Sequence, residues 1–140
     1  MPKINVARWL LGGVVAGAIV WVIEGAGSVL YMDRMLAIMQ AHNLAMEMSS
    51  AMMAMSILVS LLAGLTLMFF YVAARPRFGP GPRTAITVAV ALWLGGYVTS
   101  LIGYHMVGLY PPSMLVLWAT IGLVELCVAA LVGGMIYQER

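Results

Sequence analysis

Four stretches of the chain, residues 9–30, 51–73, 85–107 and 114–136, each run for about twenty mostly apolar residues, the length a helix needs to cross a bilayer core. In lipid every backbone amide and carbonyl has to be satisfied within the segment, so such a run crosses as a helix. Composition leaves no soluble alternative. Of the 140 residues, 64% are hydrophobic and 9% charged, against roughly 25% charged in an ordinary soluble domain. That is too little charge to cover a water-facing surface, which excludes a cytosolic enzyme, a disordered tail and a nucleic-acid partner. The first run follows Lys3 and Arg8, as in a signal peptide. It exceeds the ~7–15 apolar residues of such segments, and three more runs follow it, so it reads as a retained helix. The expectation is a single integral membrane domain over residues 1–140, an all-α up-down bundle of four helices.

Orientation follows from Lys and Arg near the span ends. Lys3, Arg8, Arg75, Arg77, Arg83 and Arg140 fall on one side and Arg34 on the other, which accounts for all 7 basic residues. Both termini and the loop between the second and third spans are therefore expected in the cytoplasm. Trp9, Tyr71 and Tyr137 then lie at the inner interface and Tyr31, Tyr104 and Tyr110 at the outer one, where amphipathic rings settle.

Residues 75–83 hold three prolines, which bar helix, and two glycines, which supply turns. The second helix is expected to stop at Arg75 and the third to restart with Thr84 as its N-cap. Arg75, Arg77 and Arg83 around Phe78 suit either anionic head groups or the docking of a partner subunit. The block Tyr71-Val-Ala-Ala-Arg75-Pro-Arg-Phe-Gly-Pro-Gly-Pro-Arg-Thr-Ala85 resembles a cytoplasmic loop in a group of uncharacterised bacterial inner-membrane proteins with four spans. Their first helix is similar to Leu11-Gly-Gly-Val-Val-Ala-Gly17 through Glu24, and their last to Gly122-Leu-Val-Glu125 followed by small residues and Tyr137. The resemblance covers most of the chain, the Met-rich first loop departing from it. It implies four spans in a bacterial inner membrane and attaches no activity.

That first loop carries Met32, Met35, Met39, Met46, Met48, Met52, Met53 and Met55 among the 13 methionines of the chain. Met32, Met35, Leu36 and Met39 follow helical spacing, which predicts a short amphipathic helix lying on the outer membrane surface. Flexible thioethers suit an adaptable face against lipid or protein. They also suit Cu(I), for which Met46, Met48 and His42 form the candidate ligand set, although neither cysteine nor a His-x-His pair accompanies them. The one cysteine, Cys127, excludes an intramolecular disulfide and reads as a packing residue in its apolar run.

Two acids lie inside the spans, and an ionisable residue within a membrane is a functional candidate by default. Glu125 stands near the midpoint of the fourth span, and Glu24 lies roughly 7 Å outward of the midpoint of the first at 1.5 Å rise per residue. Gly13, Gly17, Glu24, Ser28 and Tyr31 share one helical face, as do Trp118, Gly122, Glu125 and Ala129, so both acids are expected to face the bundle. Trp93, Tyr97, Thr99 and Ser100 on the third span are candidate partners. Such acids serve either as interhelical hydrogen bonds or as a proton-linked site. Glu24 on a first helix resembles the essential acid of the small four-span multidrug transporters, from which the long outer loop and the one-sided charge bias depart. His105, about 13 Å from mid-bilayer by helical rise, is the candidate haem or pigment ligand. No catalytic constellation appears, so no enzyme and no obligatory cofactor are expected. Two readings stand: a non-catalytic accessory subunit of a larger membrane assembly, and a small oligomeric proton-coupled transporter or channel using Glu24 and Glu125.

Overall fold

The computed structural model describes residues 4–44 and 47–137; Lys3, Met46 and Arg140 lie outside them. Four long apolar helices form a bundle: α1 (Val6–Ser28), α3 (Ser50–Phe78), a third span covering Pro82–Met106, and α6 (Pro112–Ile136). A short helix α2 (Met32–Ala41) follows the first span. The third span divides into α4 (Pro82–Leu92), one wide π-helical turn (Trp93–Val98) and α5 (Thr99–Met106). Each long helix packs on its chain neighbour, α6 closes back on α1, and α3 also touches α6 across one diagonal. The other diagonal, between the first and third spans, makes little direct contact.

Local chemistry sets the ends. Asn5 caps α1 by accepting the Arg8 amide at 3.3 Å, and Ser49 caps α3 by accepting the Met52 amide at 3.2 Å. The second span does not stop at Arg75. It continues through Pro76 to Phe78, because the proline removes only the bond its amide would give to Val72. The final turn is held instead by the Gly79 amide on the Arg75 carbonyl at 2.8 Å. Gly79 has φ 79° and Gly81 φ 120°, conformations that favour glycine, so the whole connection needs only residues 79–81. Thr84 is not the N-cap either. Pro82 opens α4, where its missing amide costs nothing, and the Thr84 hydroxyl donates back to the Gly79 carbonyl at 2.7 Å.

Glycines let two helix pairs meet backbone to backbone. A Cβ on Gly64 of α3 would strike Gly17 N and Gly13 O of α1, and a Cβ on Gly17 would stand 2.8 Å from Leu61 Cα. Gly12 of α1 and Gly133 of α6 meet in the same way, a Cβ on Gly12 falling 3.0 Å from the Gly133 carbonyl oxygen. Both seams are used inside the bundle. Gly95, Gly96 and Gly103 on the third span do face open space.

Two cores result. The larger, toward the termini, draws on all four spans through residues such as Ala16, Leu67, Met68, Ala89 and Ala129. The smaller, at the far end, joins Tyr31, Leu101, Met114, Leu115 and Trp118, with Met35 and Ile38 of α2 packed against them.

Candidate functional site

Where the two cores meet, α1 and α6 run antiparallel and bring Glu24 and Glu125 together. Glu125 is 4% exposed, and its carboxyl lies within electrostatic reach of that of Glu24. Helical rise alone puts them at different depths, but α6 is offset toward the far end, so that Ile121 faces Gly27 while Gly133 faces Gly12. The Tyr31 hydroxyl, just past the end of α1, donates to Glu24 Oε1. Burial first, and then that hydrogen bond, push the Tyr31 phenol well above the ordinary tyrosine range, so it remains a neutral donor. Glu125 Oε2 is buried without a hydrogen-bond partner.

The third span supplies the remaining wall. Gly122 leaves room for the Tyr97 ring, whose Cζ would lie 2.6 Å from a Cβ at that position. Tyr97 is within electrostatic reach of both carboxyls. Its neighbours in sequence do not join it. Trp93 Nε1 donates to the Ala119 carbonyl at 2.8 Å. Thr99 Oγ1 donates to Gly95 O at 2.8 Å, and Ser100 Oγ to Gly96 O at 2.8 Å. The wide turn loosens those carbonyls, and short hydroxyl side chains one turn on take them up. Among the four candidate partners on the third span, Tyr97 is thus the one that faces the acids.

Trp118 roofs the pair from the far side, its ring edge-on to Tyr31, Tyr104 and Tyr110 at centroid distances of 5.4, 6.4 and 4.8 Å. Its Nε1 is buried without an acceptor. Glu24 itself is only half-buried. Burial is thus unequal across the pair, nearly complete at Glu125 and partial at Glu24.

The other candidate residues lie elsewhere. Arg75 is drawn inward, its guanidinium 5.8 Å from the Tyr71 ring centre and 5.0 Å from that of Tyr137. Arg77 and Phe78 are exposed on the last turn of α3, and Arg83 is exposed on the first turn of α4. The expected three-arginine loop is thus divided between two helix ends, because helix consumes most of its residues. His42 places Nδ1 2.8 Å from the Ile38 carbonyl of its own helix, and Met48 is 68% exposed. Met46 lies outside the described residues. Among the described residues no group of three or more His, Cys, Asp or Glu could hold a metal ion. His105 is exposed on the last turn of the third span. Sequence reasoning placed Tyr31 on the right face but assigned it to the interface belt; its seven-residue spacing from Glu24 is the signal that links them.

Fold and site together define a multi-pass helical membrane protein with a carboxyl pair inside its bundle. No protein-family model, curated protein or solved structure matches the chain.

Proposed function

We propose that this chain is a small proton-coupled membrane protein, a transporter or channel working as an oligomer, in which Glu24 and Glu125 hold and exchange one proton. The observation that carries this reading is the meeting of Glu24 and Glu125 on the facing helices α1 and α6. Two carboxylates held near each other inside a bundle repel, and one proton shared between them relieves the repulsion. Tyr31 supplies a hydrogen bond to Glu24, which lets that acid release the shared proton without losing every partner. The half-buried Glu24 is the side from which the proton is exchanged, and the buried Glu125 holds it inside the bundle between exchanges. Four helices alone enclose little room, so the oligomer supplies the space a substrate needs. In proteoliposomes under a pH gradient, wild-type protein should carry protons, and Glu24→Gln and Glu125→Gln should each lower the flux by at least about tenfold with melting unchanged. A flux equal in all three proteins rejects the reading.

The second reading, an accessory subunit in a larger inner-membrane assembly, is favoured by one feature, the open Gly95, Gly96 and Gly103 face of the third span. Copurification of unlike subunits in mild detergent, combined with the absence of proton flux, would select it. We further propose that the termini and the turn at Gly81 face the cytoplasm, as the distribution of arginines supports and as the resemblance to bacterial four-span proteins implies. In a Cys127→Ala background, Asn43→Cys should react with an impermeant thiol reagent from outside and Gly81→Cys should not; the reverse pattern inverts the topology.

A further inference from the structure

At the far end of the bundle two grooves share a wall. One, of about 700 Å³, opens between α2 and the connection that follows the third span, and its polar groups are Arg34, His42, His105 and Tyr110. The other, of about 210 Å³, runs down the outside of the bundle between the third and fourth spans. Apart from His105 it is lined by apolar side chains, Val98, Leu101, Ile102, Leu115 and Val116 with Ala119 at its floor. It stays open because α5 packs on α6 and on no other long helix. His105 belongs to both grooves and stands on the last turn of the third span, which ends at Met106.

We propose that the two grooves are one binding site for a phospholipid, with the phosphate in the upper groove and an acyl chain in the lower. Charge and depth both point to that occupant. Arg34 is the one Lys or Arg between the first and second spans, and it lines the upper groove while the neighbouring Asp33 does not. A guanidinium fork matches phosphate oxygens, and imidazole adds ring nitrogens that hydrogen-bond to them. His42 lines the same groove with its Nδ1 donating to the Ile38 carbonyl, so the phosphate donors are Arg34 and His105. The junction at His105 falls at the end of a span, the level at which a lipid passes from its polar headgroup to its chains. From there Val98 lies about 10 Å down the helix at 1.5 Å per residue, and the whole descent is apolar. A free phosphate would use the upper groove and leave the lower one without a role; a lipid uses both. The site rests on the membrane-spanning fold and is independent of the carboxyl pair.

Native mass spectrometry of the full chain, released from mild detergent with added phosphatidylglycerol, tests the site directly. One lipid should stay bound. Arg34→Gln combined with His105→Gln should lower the retained fraction by about tenfold, the loss expected for removing charge-assisted hydrogen bonds to the phosphate. Ile102→Trp, which fills the lower groove from an exposed position, should lower it comparably. Neither change touches a core, so melting should match the parent. Diacylglycerol, with chains and no phosphate, should not be retained, and inorganic phosphate should not displace the lipid. Equal retention in the variants overturns the proposal, as does equal retention of diacylglycerol. Displacement by inorganic phosphate would make this a free-anion site, and a dimer dispersed by Ile102→Trp would make the groove a contact between copies; either result also overturns it.

Discussion

The two halves of this bundle are built on different principles. Toward the termini, all four spans meet around small residues, and helix backbones touch at Gly12 with Gly133 and at Gly64 with Gly17. Aromatic rings close that end: Tyr137 OH accepts the Asn5 amide and Tyr71 OH accepts the Gly81 amide, both at 3.3 Å. At the far end α3 leaves the core. Its first ten residues are almost all exposed, and Trp21 Nε1 on Ser56 Oγ at 3.1 Å ties it to α1 there. What remains is an aromatic cluster around Trp118 and a pair of acids. Without a water-driven hydrophobic effect between helices, close packing carries association. The terminal half is therefore the closely packed scaffold, and the far half is more loosely packed and buries the polar groups.

The largest test of that contrast is one substitution made in both halves. Gly64→Ala should cost about 3 kcal/mol or more, since the new methyl meets the α1 backbone, which cannot give way. Gly103→Ala meets nothing within 4 Å and should be neutral or stabilising by up to about 1 kcal/mol through helix propensity. Thermal unfolding in detergent compares them, and equal effects would erase the distinction. A middle-sized effect is expected at the boundary. Glu125→Leu should destabilise by about 0.6–2 kcal/mol through loss of its interhelical polar contact, while Glu125→Gln, which keeps a neutral hydrogen-bonding group, should stay within about 0.5 kcal/mol. If Gln is as damaging as Leu, the acid is needed for more than its polar contact in the folded state. The smallest contrast uses two tryptophans on either side of the pair. Trp93→Phe removes a bond to Ala119 and Trp118→Phe removes none, so the first should cost about 1 kcal/mol more than the second in unfolding measurements.

Hydropathy made the four spans legible, and shared helical faces pointed both acids inward; Trp118, Gly122, Glu125 and Ala129 are all buried on α6 as that pattern implies. The limits were local. Pro76 stands where a helix can lose one bond near its end, a tolerance that proline chemistry alone does not announce. Thr84 has cap chemistry, but Pro82 and Gly81 had already begun the helix two residues earlier. Hydroxyls that looked like partners for the acids were claimed by carbonyls of their own span, because a single wide turn is invisible to hydrophobic periodicity. Glycine seams are equally ambiguous in sequence, since a small residue marks a close approach without naming the helix that approaches.

That wide turn also acts as a phase adjuster. An α-helix advances 3.6 residues per turn, so one residue more or less rotates everything beyond it by about 100°. With the turn at Trp93–Val98 rewound to regular α-helix, Trp93 would still dock on Ala119, but Leu101 would swing off α6 and His105 would turn away from the wall that the two grooves share. The third span thus behaves as two helices joined by a fixed angular offset. Its lower section is keyed to the scaffold, and its upper section is free to be set by whatever the far half of the protein has to hold.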